Sequence, residues 1–220
     1  MMKVIKDAKI AELLPQMAIG TLSGKVKNYA FSIELWKEIE QLREEVKKEF
    51  TLETIKNQPQ ICSTREAYRK LGKDPNRYRP SSDALLRRVV KNMELYQISV
   101  LVDIINLVSM KTGYSIGGFD ADKIVGEIKQ GIGKHEEPYQ GIGRGDLNIE
   151  NIPLYRDDLG AIGNPTSDHI RTSISLDTTH LFLIVNCFSG DRPDLEHTLK
   201  WFVSLLEKYA SGKDLVTEIY

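Results

Sequence analysis

Asp103 and Asn106 interrupt an otherwise apolar run, VLVDIINLVSMKTG, from Val100 to Gly113. A carboxylate and an amide three residues apart share a helical face. A polar group inside such a run needs a partner. Asn106 offers both a donor and an acceptor, which suits the amine or carbonyl of a small ligand. The segment GYSIGGFD follows. Its adjacent glycines, Gly117 and Gly118, permit unusual backbone angles and let a ligand approach the main chain. We therefore expect a concavity lined by Asn106, Gly117 and Gly118, with Ser173 or Ser175 facing them from a later strand. Asp103 is expected to bond backbone groups of the GGFD turn.

The second chemical signal is cationic. Arg65, Arg69, Lys70, Lys73, Arg77, Arg79, Arg87, Arg88 and Lys91 crowd one stretch, against Glu66, Asp74 and Asp83, with Tyr68 and Tyr78 interleaved. Arginines with aromatic platforms suit a nucleic-acid backbone. Arg77, Arg79 and Arg87 are the expected RNA contacts. The competing reading, which composition alone favours, is a solvated helix pair whose arginines bond helix ends and nearby carboxylates.

Other chemistries find little support. GIG (131–133) and GIGRG (141–145) resemble phosphate loops, but strand-like sequence follows where a helix is required. They read as hairpin turns. The four histidines, His135, His169, His180 and His197, have no close pairing of metal-ligand type. No metal and no cofactor are expected. There is no GxSxG elbow, and neither cysteine has a catalytic setting. Asp157 and Asp158 are adjacent, so on a strand they point to opposite faces and cannot cooperate. No catalytic residue can be assigned.

The elements that must hold these groups are legible in outline. A chain of 220 residues suffices for a substantial core in a single domain spanning 1–220. The formal net charge of −1 provides no global pull towards nucleic acid or membrane. The N-terminal residues lack the apolar stretch of a signal peptide. No segment approaches the ~20 apolar residues that span a bilayer. Cys62 and Cys187 read as free thiols, so a cytoplasmic location is expected. Residues 33–50 have the three-to-four spacing of an amphipathic helix. A short helix before Pro59 follows, then a helix capped by Ser63 or Thr64 and ended by Gly72. DALLRRVVKN forms another helix, and Ser99 opens the apolar one. After Asp120 short runs read as strands: KIVGEIKQ, DLNIENIPLYRD, RTSISLDTT and the central LFLIVNCF. A last helix starts at Pro193, and DLVTEIY closes the chain as a strand. Helices, then strands, then a helix make an α+β protein.

RYRPSSDALLRR followed by VLVDIINLVSMKTGYSIGGFD resembles the editing (B-three/B-four) domain of the phenylalanyl-tRNA synthetase beta chain, and more closely its free-standing relatives. That family carries Val-Asp-Val-Thr-Asn, then Gly-Gln-Pro-Met/Leu-His-Ala-Phe-Asp. Val102, Asp103 and Asn106 match the first motif; Gly113, Phe119 and Asp120 match the second. The resemblance covers residues 60–190. It implies a layered β/β/α architecture with an amino-acid pocket between sheets and helices. It also implies hydrolysis of mischarged aminoacyl-tRNA by directed water, without metal or covalent intermediate. Gly117 stands where the family has a histidine, and Ile105 where it has threonine. Asp168, His169 and Arg171 are candidates for the place of the family's pocket glutamate. No aminoacylation motifs are present. The expected partners are tRNA or aminoacyl-tRNA, or a small amino-acid-like ligand. A module that binds but no longer hydrolyses is the alternative. The oligomeric state is not readable.

Overall fold

The computed structural model describes residues 2–220. The chain runs β1 (Val4–Lys6), α1 (Ala8–Leu13), β2 (Ala18–Lys25), α2 (Ile33–Glu49), α3 (Pro59–Lys70), α4 (Ser81–Val90), α5 (Val100–Thr112) and β3 (Ile116–Asp120). Then come β4 (Ile128–Ile132), β5 (Gln140–Gly141), β6 (Gly145–Asp146), β7 (Pro153–Asp157), β8 (Gly160–Asn164), β9 (Ser167–Asp168), β10 (His180–Cys187), α6 (Arg192–Ala210) and β11 (Lys213–Ile219). The fold is α+β.

One antiparallel sheet has the order β11-β2-β10-β3; a second, mixed sheet has the order β1-β4-β7-β8-β9. β10 explains the layering. Leu181, Leu183, Val185 and Cys187 belong to a core shared with α2, α4, α5 and α6. The alternate residues Phe182 and Ile184 belong to a core shared with Val4, Ile128, Tyr155 and Ile162 of the other sheet. Alternation along a strand sends successive side chains to opposite faces. An unbroken apolar run is therefore what a strand between two covered faces requires. The result is sheet on sheet, with helices on the far side of one of them. α5 is wedged among α2, α4 and α6. It starts after Ser99 and ends at Gly113, whose φ of 78° is the left-handed cap that glycine provides.

Several expectations change. Pro59 does not stop a helix but begins one. The Gln58 side chain accepts from the backbone N–H of Gln60 and Ile61, so Ser63 and Thr64 lie inside α3 rather than capping it. Proline at the first helical position loses no bond, because that N–H has no partner anyway. Ahead of it, the expected short helix is a single 3-10 turn, Ile55–Asn57. RTSISLDTT is not a strand: Ile170–Thr172 is a 3-10 turn, and Ser173 makes one isolated bridge to Phe119. Gly131 lies within β4 rather than in a turn. The GIGRG segment does turn, between β5 and β6, with Gly143 and Gly145 at positive φ.

Candidate functional site

The face of α5 that carries Val102, Ile105, Asn106 and Ser109 is not covered by a helix. It lines a cleft of about 780 Å³ shared with α4, β3 and the segments around 142–144 and 166–174. The three-to-four spacing puts these residues in one stripe. Ile116 and Ile174 extend the apolar wall. Asn106 is half-buried and makes no side-chain hydrogen bond among the described residues. It is an amide with capacity to spare inside a largely apolar cleft.

Asp103 takes no part in this cleft. Its Oδ2 accepts from Trp36 Nε1 at 2.7 Å, which ties α5 to α2, and its Oδ1 is 3.5 Å from the Ile98 N–H. The expected bond to the GGFD segment is absent. Residues three apart on a helix are offset by about 60°, enough at the edge of a face to send one side chain inward and the other to the cleft. Burial raises the Asp103 carboxyl, against the pull of the Trp36 and Ile98 hydrogen bonds.

The two glycines also part. Both lie in β3, in extended backbone, and strand alternation turns them to opposite faces. Gly118 borders the cleft, where a Cβ would come 2.5 Å from Ile105 Cδ1. Gly117 faces the inter-sheet layer, where a Cβ would come 2.8 Å from the Phe119 ring and 3.1 Å from Asp168 Oδ1. Close approach, not an unusual dihedral angle, is what demands glycine at both. A histidine at Gly117 would meet the Phe119 ring before it reached the cleft.

Ser173 borders the cleft, its hydroxyl donating to the Ile170 carbonyl. Ser175 does not: it is exposed, and its carbonyl accepts from Asn28 Nδ2. Asp168, on β9, also lines the cleft. Its Oδ2 accepts from the Gly118 N–H at 3.0 Å, and burial pushes the carboxyl up to about 7. His169 and Arg171 are engaged elsewhere. His169 Nδ1 accepts from the Arg171 N–H, and the Arg171 guanidinium grips Asp157 at 2.7 and 3.0 Å.

Of the expected RNA contacts, Arg79 and Arg87 border the cleft; Arg77 is exposed outside it, beside the Tyr78 ring. Arg79 and Arg87 are also structural. The buried Asp83 carboxylate lies 2.6 Å from Arg87 Nε, 2.9 Å from the buried Arg65 and 3.8 Å from Arg79 Nε. Part of the basic cluster thus neutralises a carboxylate in the interior. The rim is completed by residues the sequence did not single out as contacts. Arg88 stacks 4.1 Å from the exposed Tyr96 ring, and Lys91 and Arg144 have no carboxylate partner among the described residues. Arg144 comes from the GIGRG turn, so only the fold reveals its relation to α4.

Residues 63–198 match the model of the B3/4 domain. The chain belongs to the B3/4 domain family. The paired motifs around Asp103 and Phe119 lie within the matched B3/4 region. No curated protein matches the chain. Among solved structures, it is similar to an N-terminal fragment of the phenylalanyl-tRNA synthetase beta-subunit from Pyrococcus horikoshii. Identity is 15%, the TM-score 0.49, and the match covers 97% of this chain and 50% of that one. This B3/4 protein thus spans about half the length of that fragment. Among its described residues no group of His, Cys, Asp or Glu is arranged to hold a metal, and no helix is long and apolar enough to cross a membrane.

Proposed function

We propose that this B3/4 protein binds the aminoacyl end of a tRNA in the cleft on α5 and hydrolyses the ester of a misplaced amino acid. The observation that carries the reading is the division of labour along the cleft. Arg88, Lys91 and Arg144 stand at the rim, Val102, Ile105, Ile116 and Ile174 form an apolar wall, and Asn106 has unused hydrogen-bonding capacity between them. A cationic rim suits phosphates and an apolar wall suits an amino-acid side chain. Asn106, the Gly118 backbone and Ser173 are the groups available to orient the carbonyl or a water. Ester hydrolysis requires an oriented water and a donor near the developing oxyanion.

A second reading is favoured by one observation: no histidine lines the cleft, and Gly117 is turned away from it. On that reading the protein binds an aminoacyl-tRNA or a small amino-acid-like ligand without turning it over. One experiment separates the two. A panel of mischarged tRNAs is assayed for deacylation, with binding measured in parallel. Turnover of at least one member, lost in Asn106→Ala, supports hydrolysis; binding without turnover across the panel supports the second reading; neither overturns both.

A further inference from the structure

Two tyrosines interleave with the arginines of residues 65–91, and the fold uses up both. Tyr68 is buried, its hydroxyl 2.8 Å from Thr166 Oγ1. Tyr78 is half-buried, with Lys73 Nζ 3.7 Å from its ring centroid, and that ammonium is itself bonded to the Asn148 and Glu150 carbonyls. The aromatic residue that lines the cleft is Tyr96, from the segment between α4 and α5. It is 67% exposed, beside Met93 and Ile98, which are exposed on the same rim. The segment that carries it is tied down: Leu95 is buried in the helical core, and the Glu94 carbonyl accepts from Arg88 Nε. The Arg88 guanidinium in turn backs one face of the Tyr96 ring, 4.1 Å from its centroid. With one face backed and two-thirds of the residue exposed, the other face of the ring is left open at the cleft mouth.

We infer that Tyr96 is a substrate-binding residue that stacks on the terminal adenine of the tRNA. The inference rests on the aminoacyl-end reading given above and names the part of that substrate the rim holds. A π-face takes a base and a neighbouring cation takes its phosphate. Lys91, at the end of α4, opens the segment that carries Tyr96 and lines the same cleft. A guanidinium behind the ring fixes the platform before a base arrives. Ile98 and Val102 lead from Tyr96 to Asn106 along the cleft, and Val102 to Asn106 is about 6 Å of helical rise. A base on Tyr96 therefore sets its ribose over Ile98 and Val102 and its 3′ ester towards Asn106 and the apolar wall. The contact selects a nucleoside-linked amino acid over a simple amino-acid ester.

The test uses CCA trinucleotides whose terminal adenosine carries alanine, isoleucine or phenylalanine through a 3′ amide in place of the ester. Each has a counterpart with hydrogen in place of the terminal adenine. Calorimetric titration of the whole protein should show the adenine-bearing member of the best-bound pair binding roughly tenfold tighter, as expected for one stacked base. Tyr96→Ala should abolish that ratio by weakening the adenine-bearing probe while leaving the counterpart unchanged. Tyr96→Phe keeps the ring and should keep the ratio. Equal binding of the two members to the unaltered protein, equal weakening of both in Tyr96→Ala, or a loss in Tyr96→Phe as large as in Tyr96→Ala overturns the assignment and leaves the aminoacyl-end reading standing. If no probe in the panel binds, that reading falls and the assignment with it.

Discussion

α5 contributes to two clefts of similar size and opposite charge. The one described above encloses about 780 Å³; the other, between α2, α5 and α6, encloses about 880 Å³. The larger is lined by Glu38, Glu45, Asp191 and Asp194, and each of these is already engaged. Glu38 accepts from Lys208 and Tyr209, Glu45 pairs with Lys111, and Asp194 accepts from Tyr114 and Gln60. Asp191 caps α6 by accepting from the Asp194 N–H. In the smaller cleft Asn106, Lys91 and Arg144 have no such partner among the described residues. Volume does not distinguish a site from a groove here; what the charged groups are already bonded to does. The carboxylates of the acidic cleft are spent on ties between neighbouring elements, as in a seam between helices.

The largest expected effect tests whether the basic rim is built on its buried carboxylate. Asp83→Ala leaves Arg65 in the interior without a counter-charge and should cost on the order of 3–5 kcal/mol in denaturant unfolding. A loss no greater than that of an ordinary surface substitution would mean that Asp83 does not organise the rim. Asp103→Ala follows. It leaves the buried Trp36 Nε1–H without an acceptor and should cost on the order of 1–3 kcal/mol. An unchanged melting temperature would remove Asp103 as the tie between α5 and α2.

Asp168 supplies a pH test of the contrast. Its folded carboxyl titrates at about 7, and an unfolded one near ~3.9. Between those values the folded state keeps a proton that the unfolded state has lost, so stability falls as pH rises through this window and levels off above it. Asp168→Asn removes that dependence. From pH 5 to pH 8 the variant should gain on the unaltered protein by about 1–2 kcal/mol, after allowance for partial solvent screening. Parallel melting temperatures at the two pH values would show that the carboxyl is not held in its protonated form. The smallest effects compare the clefts directly. Lys91→Ala and Arg144→Ala should each weaken tRNA binding and lower its salt slope by roughly one unit. Arg77→Ala, outside the cleft, and Glu45→Gln, in the acidic one, should leave the slope alone. A response to either of the latter moves the RNA surface elsewhere.

The framework was readable where a single periodicity governs many residues. The largely apolar runs of α5 and β10 announce elements packed on more than one side, although one face of α5 opens on the cleft, and the amphipathic stripe of α2 announces one face. The candidate cleft was legible only in part. Asn106 and Gly118 line it as expected, whereas Asp103 and Gly117 face other surfaces. A three-residue helical offset and a one-residue strand offset each straddle a boundary that periodicity does not locate. The arginines were found as a cluster. Which of them are consumed internally depends on Asp83, eighteen positions from Arg65, a pairing no local pattern carries. Arg144 was hidden in a correctly read turn, because what lies opposite a turn is a property of the fold.

β2 has a consequence for the order in which the molecule can assemble. It sits between β10 and β11, pairing Ala18 with Cys187 and Gly20 with Ile219. The Ile19 and Tyr220 backbones bond each other in both directions. The sheet that carries Gly118 therefore waits on contacts between distant parts of the chain. Closing loops of that length is entropically costly before any contact rewards it, and topologies dominated by such pairings fold slowly. During that delay α5, apolar on most of its circumference, has no sheet to cover it. Any species in which that sheet is still unpaired leaves an apolar face of α5 uncovered, and such transiently exposed surface is prone to misassociation.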